Sequence, residues 1–135
     1  MEQRTLIASC VEYYSHLKNI PSDKVFLSFE QAGFIDMILD SHRQFPEMNL
    51  DFYMGMIDGL THLESDSAEK NYLHHEERAA LTAEVVAMLQ KKHKMNDLEA
   101  CRLYYHSKTA AAVSEEKTGY YKKAPQEIFD LIEAE

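Results

Sequence analysis

The densest group of side chains able to do chemistry is His74-His75-Glu76-Glu77. Imidazole and carboxylate are common zinc ligands, and His-Glu-x-x-His on one helix is their metalloprotease form. Neighbouring helical residues diverge by about 100°, so four in a row cannot face one ion. Ala79 and Ala80 stand where a second histidine would be needed. The group therefore reads as histidines at a helix start, and neither metal nor cofactor is expected. Cys10 and Cys101 both fall on apolar helix faces, where a thiol behaves as an inert small hydrophobe. The Gly-x-Ser-x-Gly elbow and the glycine-rich phosphate loops are missing, with only Gly33, Gly55, Gly59 and Gly119 present. No catalytic residue is expected, and the chain does not read as an enzyme.

Tyrosine carries more information. Six of the 8 tyrosines form the doublets Tyr13-Tyr14, Tyr104-Tyr105 and Tyr120-Tyr121. On a helix each doublet can send one ring inward and leave the other near the surface, and exposed tyrosine is enriched at protein interfaces. Candidate partner-binding residues are Tyr13, Tyr104, Tyr105, Tyr120 and Tyr121, with His106 and Lys108 beside the second doublet.

The formal net charge is -9, and it is lopsided. Residues 1–70 hold 12 acidic and 5 basic side chains, whereas the rest hold 11 and 9. An acid excess repels phosphate backbones, so direct nucleic-acid binding is not expected. The one basic cluster, Lys91-Lys92-His93-Lys94, suits the last turn of a helix, where cations complement the macrodipole.

The elements that must position these groups are helical. Leu6, Ile7, Cys10, Val11, Tyr14 and Leu17 give Thr5–Lys18 the stripe of an amphipathic helix. Pro21 breaks it, and Ser22 opens a second helix that ends at Gly33. A third runs over about residues 34–45, with a fourth after Asn49 or Asp51 that turns Phe52, Met56, Ile57 and Leu60 inward. The longest, about residues 76–95, carries Leu81, Val85, Met88 and Leu89. Asn96 or Asp97 caps a helix through Leu98, Cys101, Leu103, Tyr104 and Tyr105; a short alanine-rich helix follows, and Pro125 opens the last, with Ile128, Phe129, Leu131 and Ile132 inward. No period-2 alternation marks a strand.

The expected fold is thus all-α, with seven to eight helices in two small modules, residues 1–62 and 76–135, joined by a polar linker at 63–75. Modules of this size bury little alone. They are expected to pack together, or to pair with another chain as a homodimer. No apolar run nears the roughly 20 residues of a membrane span. The first residues lack the apolar core of a signal peptide, and two widely spaced cysteines form no disulfide framework, so a cytoplasmic setting without membrane contact is expected.

The stretches 7–14 and 18–26, followed by Phe29 and Gly33-Phe34-Ile35-Asp36, resemble a family of small bacterial helical domains of unknown function (number thirty-seven ninety-one). Residues 103–109 and 116–120, with Ala124-Pro125, resemble a tail that accompanies such domains. The chain departs from the pattern after the third helix, where Phe45-Pro46-Glu47-Met48-Asn49 replaces a Leu-His-Thr-Gln-Gly-like turn. Genes of this family often neighbour a toxin-like domain related to ADP-ribosyltransferases, so the resemblance implies an antitoxin or accessory role. The resulting expectation is a non-enzymatic interaction module that binds a protein partner such as a toxin. The alternative is an acidic, phage-type inhibitor that mimics nucleic acid on a nucleic-acid-processing enzyme.

Overall fold

Helix starts and stops are written locally in the chain. The side chains of Asn49, Asn96 and Ser107 each accept a hydrogen bond from the backbone N–H three residues on, at 3.1, 2.8 and 3.0 Å, as helix N-caps do. Gly33, at φ +78°, ends one helix in the left-handed conformation and begins the next. The computed structural model describes residues 1–61, 63 and 72–135, and in these the chain forms eight α-helices and no strand. They are α1 (Gln3–Lys18), α2 (Ser22–Ala32), α3 (Phe34–Gln44), α4 (Leu50–Asp58), α5 (His75–His93), α6 (Asp97–Tyr105), α7 (Lys108–Ser114) and α8 (Pro125–Glu133). Two 3-10 turns, Glu116–Thr118 and Tyr120–Lys122, lie between α7 and α8. The all-α expectation holds in class and in helix number.

The two anticipated modules share one core. Leu6, Ile7, Cys10, Val11 and Tyr14 of α1 are buried in the same cluster as Leu81, Val85, Val86 and Leu89 of α5, and α1 packs more extensively on α5 than any other two elements pack together. Burying one such aliphatic side chain contributes about 1.5–3 kcal/mol, so this seam joins the first half of the chain firmly to the second. The linker expected at 63–75 lies largely outside the described residues. At its far end Tyr72 is buried and His75 already begins α5.

Four leucines expected inside stand out instead. Leu17, Leu60, Leu103 and Leu131 are all exposed. Leu17 occupies the last turn of α1 and Leu60 lies beyond α4, where the neighbouring elements no longer cover them. Leu103 is displaced because Tyr104 and Tyr105 both turn inward, and three consecutive helical residues span too wide an arc to share one face.

The basic residues 91–94 close α5 as anticipated, with Lys94 in the left-handed conformation at the cap. Lys92 and His93 also hold Glu133 of α8 at 2.9 and 2.7 Å. No helix among the described residues is long and apolar enough to cross a membrane.

Candidate functional site

Two charged side chains lie within the helical seam. Glu12 of α1 and Arg78 of α5 are 2% and 0% exposed. One Glu12 carboxylate oxygen accepts from Arg78 Nε at 3.0 Å and from the Ser22 hydroxyl at 2.6 Å, and the other accepts from the Tyr105 hydroxyl at 2.8 Å. A buried carboxylate without such partners would be untenable; here α1, α2, α5 and α6 each supply a group to the cluster.

Arg78 continues the network outward. Its Nη1 donates to Glu116 at 2.9 Å, and the same carboxylate oxygen accepts from the backbone N–H groups of Leu73 and His74 at 2.7 and 3.0 Å. The other Glu116 oxygen meets His74 Nδ1 at 2.7 Å. Burial pushes the Glu116 pKa up, but the hydrogen bonds from His74 and Leu73 outweigh it and leave the group below its ordinary value. Arg78 Nη2 is the one member of the guanidinium with no partner among the described residues.

Around this centre the adjacent histidines gather rings from both halves of the chain. Tyr121 stacks on His74 with centroids 4.4 Å apart. His75 lies between Tyr13 at 5.0 Å and His16 at 4.7 Å. His16 Nδ1 meets the Tyr72 carbonyl at 2.8 Å, and the Tyr13 hydroxyl donates to Asp51 at 3.0 Å. Burial, then the neighbouring His16, lowers the His75 pKa from its ordinary 6.5. Among the described residues no three His, Cys, Asp or Glu side chains are placed to hold a metal ion.

Beside His75 the surface opens into two adjoining hollows of about 300 and 370 Å³, which share Leu50, His75 and Glu76. Ala79 and Ala80 of α5 face Thr5 and Ser9 of α1 in the first. Tyr13, Asn49 and Asp51 line the second. Together they form one shallow groove where the starts of α4 and α5 approach α1.

The tyrosine expectation holds at the first doublet, where Tyr14 is fully buried and Tyr13 half-buried. It fails at the second. Tyr104 and Tyr105 are 1% and 2% exposed, the first bonded to the Thr82 hydroxyl at 3.1 Å, the second committed to Glu12 and stacked on Phe26 at 4.8 Å. Neither ring is available to a partner. Their hydroxyls explain the inward turn, since each finds a buried partner: Tyr104 accepts from Thr82 and Tyr105 donates to Glu12. Tyr120 and Tyr121 are both half-buried, with Lys123 and Lys122 over their rings at 5.2 and 5.6 Å. His106 is exposed 3.6 Å from Glu30, and exposed Lys108 gives its backbone N–H to Glu135 at 2.8 Å. These two lie apart from the groove residues in the chain's contacts. Of the candidates, Tyr13 and Tyr121 stack on the adjacent histidines His75 and His74 respectively.

Glu12 and Arg78 were not among the candidates, yet the pattern contains them. Arg78 stands in register with Leu81 and Val85 on the buried face of α5. Glu12 follows Ala8 and precedes Ser15 along a second buried stripe of α1. A charge on a buried stripe is the signal, and one such charge on each of two helices predicts that they meet.

Burial raises the Cys10 pKa, and burial followed by the nearby Asp97 raises that of Cys101, to about 12 in each case. Both thiols are held as thiols at neutral pH. No family model matches the chain, and no curated protein or solved structure matches it either.

Proposed function

We propose that the chain is a non-catalytic protein-interaction module, antitoxin-like or inhibitory, that captures a basic face of a partner protein. The observation that carries this reading is where the reactive groups sit. Glu12, Arg78, Tyr105, Glu116 and His74 resemble an active-site constellation in type, but they are bonded to one another and tie helices together. The buried thiols are protonated. What faces outward at the groove is an aromatic ring with carboxylates, Tyr13, Asp51 and Glu76, on a chain of net charge -9. Aromatic rings supply contact area at interfaces, and complementary charge speeds encounter and selects the partner.

The lopsided charge also favours a second reading, in which the partner is a nucleic-acid-processing enzyme and the carboxylates stand in for a phosphate backbone. Both readings are tested by retention of proteins from a bacterial extract on the immobilised chain at low and moderate salt. Stoichiometric recovery of one basic protein supports the module. Steep release with salt, together with loss of that protein's nucleic-acid binding while it is held, selects the second reading. Recovery of no stoichiometric protein at either salt overturns both.

A further inference from the structure

We infer that the groove between α1, α4 and α5 is a receptor for one arginine side chain of a protein partner. The inference rests on the interaction reading above and gives it a chemical address. Three observations on the groove agree. Among the described residues its lining holds two carboxylates, Asp51 and Glu76, and no lysine or arginine. Asp51 uses one oxygen to accept from Tyr13, and Glu76 is exposed, interacting electrostatically with His75. An aromatic wall stands beside them, with the Tyr13 ring held against His75 at an interplanar angle of 25°.

Electrostatics decides the sign of the occupant. The groove lies at the starts of α4 and α5, each equivalent to about half a positive charge. Two formal carboxylate charges exceed that, so the groove as a whole favours a cation. His75 does not reverse the balance at neutral pH, because burial and His16 lower its pKa, and Arg78 is committed to Glu12 and Glu116.

Shape decides which cation. The hollow that Tyr13, Asp51 and Glu76 line, about 370 Å³, lies at the small end of the range for ligand sites and suits a single long side chain. Leu50, Ala79 and Ala80 offer apolar surface to its methylenes. A planar guanidinium can stack on a ring while its forked donors reach two carboxylates, whereas an ammonium is a hydrated point charge that does neither as well.

The test is titration of the full chain with N-acetyl-arginine amide and, separately, N-acetyl-lysine amide, read by NMR at the rings of Tyr13 and His75. Saturable shifts with arginine, and shifts at least several-fold weaker with lysine, are expected. Asp51→Asn combined with Glu76→Gln weakens the arginine probe about tenfold, while the dispersion of core signals stays as in the parent and reports intact folding. Equal, non-saturating shifts for the two probes overturn the receptor, as does arginine binding that survives the double substitution. Either failure leaves the interaction reading standing if the immobilised chain still retains one stoichiometric basic protein; loss of that retention overturns the reading itself.

Discussion

Glu12 and Arg78 are separated by 66 residues and joined by a 3.0 Å hydrogen-bonded ion pair inside the helical seam. The pair fixes how α1 and α5 meet, because each buried charge is tolerated only with the other beside it, while the apolar seam supplies the attraction. Removal of one member of a buried pair typically costs about 3–5 kcal/mol, whereas replacement of both by apolar residues is often neutral or favourable. We therefore expect Arg78→Met and Glu12→Leu each to lose about 3–5 kcal/mol in urea unfolding, and the double variant to recover most of it. Losses that simply add would show that the two residues act independently.

Two buried tyrosines are expected to respond in opposite directions. Tyr53 is fully buried and its hydroxyl has no partner among the described residues, so Tyr53→Phe relieves an unpaired polar group and raises stability by about 1 kcal/mol. Tyr105 donates to Glu12 at 2.8 Å, and Tyr105→Phe strips a buried carboxylate of that donor, which costs about 1–3 kcal/mol. Chemical denaturation of the two variants beside the parent measures both signs. Equal responses would mean that the hydroxyl bonding has been misassigned.

Stability is expected to fall in two stages on acidification. The His75 pKa is lowered in the fold, first by burial and then by His16, while Glu76 and Glu77 oppose the shift and Arg78 adds to it. In the unfolded chain the same ring takes up its proton nearer 6.5, so the unfolded state binds more protons as pH drops below that value. The stability His75 contributes is present above pH 6.5 and is lost as pH falls through its lowered folded value. Glu116 acts lower: with its folded pKa below the ordinary 4.5, its contribution is complete above that pH and is lost as pH falls through the folded value. Unfolding free energy measured across pH 3–8 checks both stages, and His16→Ala should raise the His75 titration midpoint read by NMR. An unchanged midpoint would remove His16 from the account.

Thiol reactivity gives a kinetic check on the core. Only the thiolate attacks a disulfide reagent, and burial pushes both cysteine pKa values up to about 12. The folded protein should therefore release no colour from Ellman's reagent at pH 8 on the minute timescale, and both thiols should react once guanidinium unfolds it. Rapid reaction of the native protein would place Cys10 or Cys101 at an opening surface.

The helices were legible because their ends carry their own chemistry. Asn49 and Asn96 cap α4 and α6 through their side chains, Gly33 takes up the left-handed turn between α2 and α3, and Pro125 opens α8. What joins distant helices was less so. A tyrosine doublet carries no mark of whether its second ring has a buried acceptor, and Tyr105 turns inward because Glu12, 93 positions away in the chain, is there to receive its hydroxyl. The groove was hidden for the same reason. Tyr13, Asp51 and His75 are brought together by tertiary packing, and the His74-His75 pair, read only as a helix start, is where the rings of Tyr121 and Tyr13 converge.

The central claim is that the interior network holds the fold and the acidic groove holds the partner, and a single paired comparison separates the two roles. Asp51→Lys with Glu76→Lys reverses the charge of the groove, while Tyr105→Phe alters only the interior. Each variant is immobilised and its retention of the basic protein recovered at low salt is measured, with the unfolding temperature of each taken alongside. The account predicts that the charge-reversed protein stays folded, losing about 1–2 kcal/mol because lysine opposes the dipoles at the starts of α4 and α5, and releases the partner, whereas Tyr105→Phe is destabilised and retains it. Retention of the partner by the charge-reversed protein at the parent level would contradict the claim.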